Sequence, residues 1–284
     1  MTEHHIIYSV AGIRIAVRSQ VPFMPAEKCL PFLSEGKPDV TVVMQQNSCD
    51  DLTGYQQIFS GQEYDILQRG DEIIKVKYLS AQKETLAWIL RHPQKQNYIL
   101  DFRPCWEQHL QHINPLFFFE LSGFLIDNDA MILHSSVIAC AGRGIVFTAP
   151  SGTGKSTQAE LWHKYRGADI LNGDRTILRR QNNHYYGWGS PYAGSSNIFK
   201  NESVPLAAIV VLRQAPANSI HRLNMREACL YLLSEMSISG WNKNVVERQT
   251  DWMIHLLETI PVYRLDCLPD QSAVDLLSAT LGGF

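Results

Sequence analysis

The chain has no C-x-x-C pair and no histidine-spaced cysteine cluster. Its six cysteines (Cys29, Cys49, Cys105, Cys140, Cys229 and Cys267) are scattered, so a zinc site or a disulfide frame is not expected. They read as small core hydrophobes in a reducing compartment. Long apolar runs are also missing. The longest candidate, 116–126, is interrupted by Glu120, Ser122 and Gly123, well short of the roughly 20 residues that span a bilayer. The first residues, Met-Thr-Glu-His-His, lack the basic start and apolar stretch of a secretory signal, and a cytoplasmic protein is the expectation. Nor is there an excess of positive charge. The net charge is −3, which argues against bulk attraction to nucleic acid or to an anionic membrane. Repeats and low-complexity tracts are absent too. What is present is 45% hydrophobic and 19% charged residues over 284 positions, the composition of a globular chain with a sizeable core, in one large domain or two ordinary ones.

The hydrophobic pattern changes near residue 110. Before it, alternating apolar runs predict strands: Ile6–Val17 around a turn at Gly12, then Asp39–Met44, Glu72–Tyr78, Leu86–Leu90 and Asn97–Phe102. This predicts an antiparallel β-rich module over 1–110, with a loop and one short helix between Val17 and Asp39. From Asn114-Pro115 the spacing turns helical through Phe117, Phe118, Leu121 and Phe124, with Asn114 as N-cap and Pro115 at the first helical position. Strands follow at Met131–Ala139 and Ile145–Thr148, then at 169–171, 176–179 and 184–186. The continuous apolar run Pro205–Leu212 has the character of a central strand. Helices from Asn224, from Asn244 to Leu257 and from Asp270 to Leu281, with a strand at Val262–Leu265, complete an α/β domain over 111–284.

At the junction of the strand ending at Thr148 with the next helix lies Ala149-Pro-Ser-Gly-Thr-Gly-Lys-Ser156. Strand, glycine-rich loop and helix in this order form a phosphate-binding loop. In such a loop backbone N–H groups close around phosphate oxygens, and the helix N-terminus adds partial positive charge. Ser151, Gly152, Thr153, Gly154, Lys155, Ser156 and Thr157 are the expected nucleotide-binding residues. Lys155 would reach the β- and γ-phosphates, and the Ser156 hydroxyl would ligate Mg²⁺. Ala149 stands where the pattern has glycine, which is tolerable if that position needs no positive φ.

A phosphate loop alone specifies a nucleotide and not a reaction, which needs a carboxylate near the metal or the acceptor. Asp174, after the apolar strand 169–171, is either that group or a turn residue following Asn172-Gly173. His134, in Leu-His-Ser-Ser-Val137, lies on the strand before the loop's own strand. A hairpin between the two would bring it to the phosphate end of Thr148. The alternative is a satisfied core histidine.

In their order and approximate spacing, His134-Ser-Ser-Val-Ile, Gly144-Ile-Val-Phe, Pro150-Ser-Gly-Thr-Gly-Lys-Ser-Thr157 and Leu171-Asn-Gly-Asp174 resemble HPr kinase/phosphatase, whose core is related to that of phosphoenolpyruvate carboxykinases. The resemblance covers roughly 130–215. It implies a P-loop core with a mixed sheet, His134 at the active centre, Lys155 and Ser156 on phosphates and metal, and Asp174 as the metal-linked or proton-accepting carboxylate. Where that family has two adjacent acids, this chain has Asp174-Arg175. The segment 187–197 is similar to a Pro-aromatic-x-Gly stretch of uncharacterised bacterial relatives, some of which resemble kinases linked to ribosomally made peptides. Arg175, Tyr192, Ser195, Ser196 and Asn197 are accordingly candidates for an acceptor or nucleobase pocket; a surface turn is the other reading of that segment.

Two functions are therefore expected to compete. One is a phosphotransferase using ATP or another nucleoside triphosphate with Mg²⁺ to phosphorylate a hydroxyl, a serine of a peptide or protein or a small molecule like it. The other is a non-catalytic nucleotide-binding sensor whose N-terminal module contacts a partner protein. Oligomeric state stays open.

Overall fold

In the computed structural model of the chain, the described residues are 4–46, 52–78, 85–91, 97–103, 121–192, 194 and 196–283. The fold is mixed α/β and divides into two compact units, Met1–Leu121 and Ser122–Phe284. The expected helix start at Asn114, with Phe117 and Phe118, lies outside the described residues.

The described residues of the first unit form nine strands: β1 (His4–Val10), β2 (Ile13–Ser19), β3 (Leu33–Ser34), β4 (Val40–Gln46), β5 (Gln56–Ser60), β6 (Tyr64–Arg69), β7 (Glu72–Tyr78), β8 (Thr85–Arg91) and β9 (Asn97–Phe102). They form one sheet in the order β3-β1-β2-β4-β9-β8-β7-β6-β5. Period-2 burial is visible on β4, where Val40, Val42 and Met44 are buried and Thr41 and Val43 are not. The module is not purely antiparallel, as the sequence pattern implied. β4 runs parallel to both β2 and β9. Long connections make this possible, because a parallel neighbour requires a crossover that a hairpin cannot provide. One passes through the 3-10 turn Glu27–Phe32, the other through the meander β5 to β8. The strands β5 and β6 escape the sequence pattern because β5 is mostly exposed and carries no apolar alternation.

The second unit opens with α1 (Leu121–Ile126) and continues with β10 (Ala130–Cys140), β11 (Arg143–Thr148), α2 (Lys155–Arg166), β12 (Asp169–Asn172), β13 (Arg175–Gln181), β14 (His184–Trp188) and β15 (Ser203–Gln214). It ends with β16 (Ser219–Arg222), α3 (Met225–Glu235), α4 (Lys243–Thr259), β17 (Val262–Cys267) and α5 (Gln271–Thr280). β15 lies between β11 and β17, parallel to both, while β10 pairs antiparallel with β11, β12 and β13. Successive strand residues serve opposite faces. Val137, Val146, Ile209 and Val211 pack with Ala228 and Leu232 of α3 and Trp252 and Leu256 of α4. Their neighbours Ile138, Phe147, Val210 and Leu212 pack with Ala159 and Trp162 of α2 and Val274 and Leu277 of α5. The parallel strands β11, β15 and β17 are thus covered on both faces and can only be read from their carboxyl ends, where open α/β sheets bind ligands. No described helix is long and apolar enough to cross a membrane.

Candidate functional site

β11 ends at Thr148, and the loop that follows turns directly into α2. Gly152 and Gly154 carry it through positive φ, 78° and 114°, angles that a side chain would strain. Ala149 is buried and is not among the residues of positive φ, so an alanine fits where the motif has glycine. α2 starts on Gly154 with no side-chain cap, whereas α3, α4 and α5 are capped by Asn224, Asn242 and Asp270. Its first N–H groups therefore face the loop without an acceptor side chain. Lys155 is only 7% exposed. Its Nζ donates to the carbonyls of Ala149 at 2.7 Å and Pro150 at 3.3 Å. Burial pushes this ammonium below its ordinary pKa of 10.5, with the Glu235 and Asp174 carboxylates pulling it back up.

The His-Ser-Ser run of β10 changes partners at this point. His134 pairs with Arg175 of β13, and the next residue, Ser135, pairs with Thr148 of β11. Three hydrogen bonds fix the junction: Thr148 Oγ1 donates to the His134 carbonyl at 3.0 Å, Ser136 Oγ to the Lys155 carbonyl at 3.1 Å, and Ser135 N to the Asp174 carbonyl at 2.9 Å. Histidine, phosphate loop and Asp174 are thereby tied together through backbone.

The imidazole lies between two carboxylates. Nδ1 is 2.9 Å from Glu235 Oε2 and Nε2 is 3.7 Å from Asp174 Oδ1. An ionised carboxylate only accepts, so opposite an ionised Glu235 it is Nδ1–H that donates the hydrogen bond. The second separation is too long for a direct hydrogen bond. Glu235 is the residue that the linear pattern missed. The end of α3 is fastened to β10 by a Leu133–Met236 bridge and by Ser237 N donating to the Ile132 carbonyl at 3.0 Å, which delivers the preceding Glu235 to His134. A signal existed. Ala228 and Leu232 are the buried residues of α3, and position 235 continues their stripe, so a carboxylate there needs a buried partner.

The turn role considered for Asp174 belongs to Asn172. Its buried Oδ1 accepts from Asp174 N and Arg175 N, both at 2.8 Å. Its Nδ2 donates to the carbonyls of Ser190 at 3.0 Å and Tyr192 at 3.1 Å. The Asp174 carboxylate is left facing His134 and, at 3.8 Å, Arg175 Nε. Gly194 packs onto this turn so closely that a Cβ there would lie 2.7 Å from the Asp174 carboxyl carbon. Asn172→Ala is expected to cost about 2–4 kcal/mol, because several buried partners lose their bonds at once; urea unfolding measures it.

Of the other candidates, Arg175 lies over the Tyr192 ring at 5.9 Å and is 48% exposed. Ser196 stands against Gly173. Asn197 is exposed, in a left-handed turn conformation. Ser195 lies outside the described residues. Ser151, Gly152 and Thr157 are exposed, and Thr153 and Ser156 half-buried.

Two clefts open beside the loop, with Thr153 lining both. One, of about 530 Å³, lies against Gly152–Gly154, Thr157, Gln158, Gln214, Cys267 and Leu268. The other, of about 280 Å³, lies against Thr148–Pro150, Arg213, Tyr231, Ser234, Glu235 and Arg264. Neither is lined by Arg175, Tyr192, Ser196 or Asn197.

The family model for SynChlorMet cassette protein ScmC matches residues 125–269, just over half of the chain. The chain belongs to the ScmC family. The matched span holds His134, the phosphate loop, Asp174, Arg213, Glu235 and Arg264. No curated protein matches the chain. Among solved structures, the Hpr(Ser) kinase/phosphatase from Coxiella burnetii is similar over 52% of this chain and 95% of that one, at 11% identity and a TM-score of 0.32.

Among the described residues no group of three or more His, Cys, Asp or Glu side chains could hold a metal ion. Mg²⁺ does not require such a group, because it keeps several waters and takes one or two protein oxygens together with substrate phosphates. The Ser156 hydroxyl and the Asp174 carboxylate are oxygens of that kind.

Proposed function

We propose that this ScmC-family chain is a Mg²⁺-dependent phosphotransferase that moves the γ-phosphoryl group of a nucleoside triphosphate, ATP being the first to test, to a hydroxyl. The observation that carries the reading is the convergence of an uncapped, lysine-bearing phosphate loop with the Asp174–His134–Glu235 cluster. The loop N–H groups and the α2 N-terminus bind the phosphates. Lys155 leaves the Ala149 and Pro150 carbonyls for phosphate oxygens, which stabilises an ammonium that burial otherwise disfavours. Ser156 and Asp174 would hold Mg²⁺, whose chemistry when bound is to neutralise charge on the transferring group. The acceptor oxygen bonds to the γ-phosphorus as the bond to the β–γ bridging oxygen breaks. The nucleoside diphosphate leaves, and the hydroxyl proton passes to Asp174. His134, held by Glu235, stands 3.7 Å from that carboxylate and would orient it once that gap closes in the substrate complex. The nucleoside is assigned to the 530 Å³ cleft, beside Gly152–Gly154, Thr157 and Gln158. The protein acts in the cytoplasm as an enzyme on a serine of a peptide or protein, or on a serine-like small molecule.

The test is transfer of label from [γ-³²P]ATP to serine-containing peptides with Mg²⁺, alongside nucleotide binding. Transfer supports the reading. Firm nucleotide binding with no transfer to any hydroxyl favours the sensor, a reading for which Arg175 beside Asp174 is the motivating feature. Absence of nucleotide binding removes both.

Glu235 is proposed as a positioning residue. Glu235→Gln keeps its shape but weakens the hold on the imidazole, so kcat is expected to fall between about ten- and a hundredfold, the size of a small misplacement, with KM nearly unchanged. Glu235→Asp should restore part of the loss. A change confined to melting temperature would reduce Glu235 to a fold residue.

A further inference from the structure

The 280 Å³ cleft carries two kinds of group that the phosphate loop does not need. Glu235 reaches it while bonded to His134 Nδ1, and the other ring nitrogen of that histidine faces Asp174, so a single imidazole separates this wall of the cleft from the proposed proton acceptor. Arg213 and Arg264 line it as well. Both arginines are organised from below by Asp266, which is 5% exposed. The Arg213 fork donates Nε to Asp266 Oδ1 at 2.7 Å and Nη2 to Oδ2 at 2.6 Å, across the registered Arg213–Asp266 pair of β15 and β17. Arg264 Nε lies 3.3 Å from the same carboxylate. Two permanent cations thus share one buried anion. Arg213 is 58% exposed, and of the five N–H donors of a guanidinium the fork to Asp266 uses only two. A guanidinium fixed at its inner edge, with outer donors in a cleft, is prepared for a carboxylate. Tyr231 and Ser234 of α3 add a ring and a hydroxyl to the same wall.

We infer that this cleft is the acceptor subsite and that it selects a hydroxyl flanked by a carboxylate. That chemistry has two sources, an acidic residue beside a serine in a peptide and the α-carboxylate of a free hydroxy amino acid. A volume of about 280 Å³ is near the lower end of small-ligand sites and admits a short segment and not a folded surface. The inference rests on the phosphotransferase reading and names its substrate class.

The experiment measures binding to the full-length chain in the presence of a non-hydrolysable Mg–ATP analogue. The probes are a blocked Gly-Glu-Ser-Glu-Gly peptide, its Gln counterpart, free L-serine and L-serine amide. The carboxylate-bearing member of either pair is expected to bind at least about tenfold tighter, the size of a charge-assisted bidentate contact. The peptide pair and the serine pair tell the two sources apart. Arg213→Gln and Arg264→Gln should each bring the ratio to within about threefold, with Arg213→Lys keeping part of it. Melting curves with Mg–ATP show whether each variant is folded and still binds nucleotide. Equal binding within both pairs, or no binding of any probe, overturns the inference. So does a variant that loses the Mg–ATP shift while keeping the acidic preference, which would place the arginines on the nucleotide. If the wild-type protein shows no Mg–nucleotide shift at all, the phosphotransferase reading itself fails, a result distinct from a shift without acidic preference.

Discussion

Asp174→Asn is expected to lower turnover by at least about a hundredfold, the lower end of what a positioned general base contributes. The amide keeps the size of the carboxylate but neither takes the acceptor proton nor brings charge to Mg²⁺. The fold should tolerate it well. The turn at this position is made by Asn172 Oδ1 accepting from the backbone of residues 174 and 175, and the Asp174 carbonyl accepts from Ser135 N, so the carboxylate does not hold the local backbone. The variant should therefore melt within a few degrees of the wild type and bind metal-free nucleotide nearly as well. Steady-state release of nucleoside diphosphate with a saturating acceptor reads the loss. If turnover stays within a few-fold, Asp174 is not the base and the phosphoryl-transfer scheme loses its proton acceptor.

Lys155→Ala should abolish stabilisation by Mg–ATP. At a ligand concentration near a hundred times Kd, the wild-type protein gains about 2.7 kcal/mol by mass action, roughly 5–10 °C in melting temperature for a unit of this size. The variant should show almost none of it. Its melting temperature without nucleotide should be nearly that of the wild type, because two effects oppose. Removing the side chain leaves the Ala149 and Pro150 carbonyls without their donor. It also removes a buried ammonium whose pKa burial lowers. The folded-state pKa lies below the unfolded one, so holding this charge costs stability below the lowered value. That cost is relieved as pH rises through the window up to about 10.5. A scan of the nucleotide-free proteins should accordingly show the wild type gaining on Lys155→Ala in that alkaline window. A full Mg–ATP shift in the variant would remove Lys155 from the phosphate site.

What the linear sequence determines here is local in origin. The conformation of the glycine-rich loop is legible because adjacent residues carry it: an apolar strand that must be buried, two glycines that tolerate positive φ, and a helix that starts at the following lysine. The strands and helices of the second unit are legible for a related reason, since burial on one or both faces writes itself into the period of apolar residues. Asn224 and Asp270 mark helix starts as expected, whereas α4 is capped by Asn242 and begins ahead of the expected Asn244.

Only the tertiary structure decides what meets His134. The histidine lies on β10 and Glu235 at the end of α3, about a hundred residues later in the chain; what joins them is the Leu133–Met236 bridge and the hydrogen bond from Ser237 N to the Ile132 carbonyl, and no short spacing encodes either. The same holds for the division of labour in Asn172-Gly173-Asp174. Composition marks a turn there but not which side chain makes it; Asn172 does, its Oδ1 accepting from Asp174 N and Arg175 N while its Nδ2 is held by the carbonyls of Ser190 and Tyr192. Arg213 and Arg264 read as ordinary strand residues until the parallel pairing of β15 with β17 brings them over one buried Asp266. The parallel seams around β4 were equally hidden, because strand direction depends on the path of the long connections and not on the alternation within a strand.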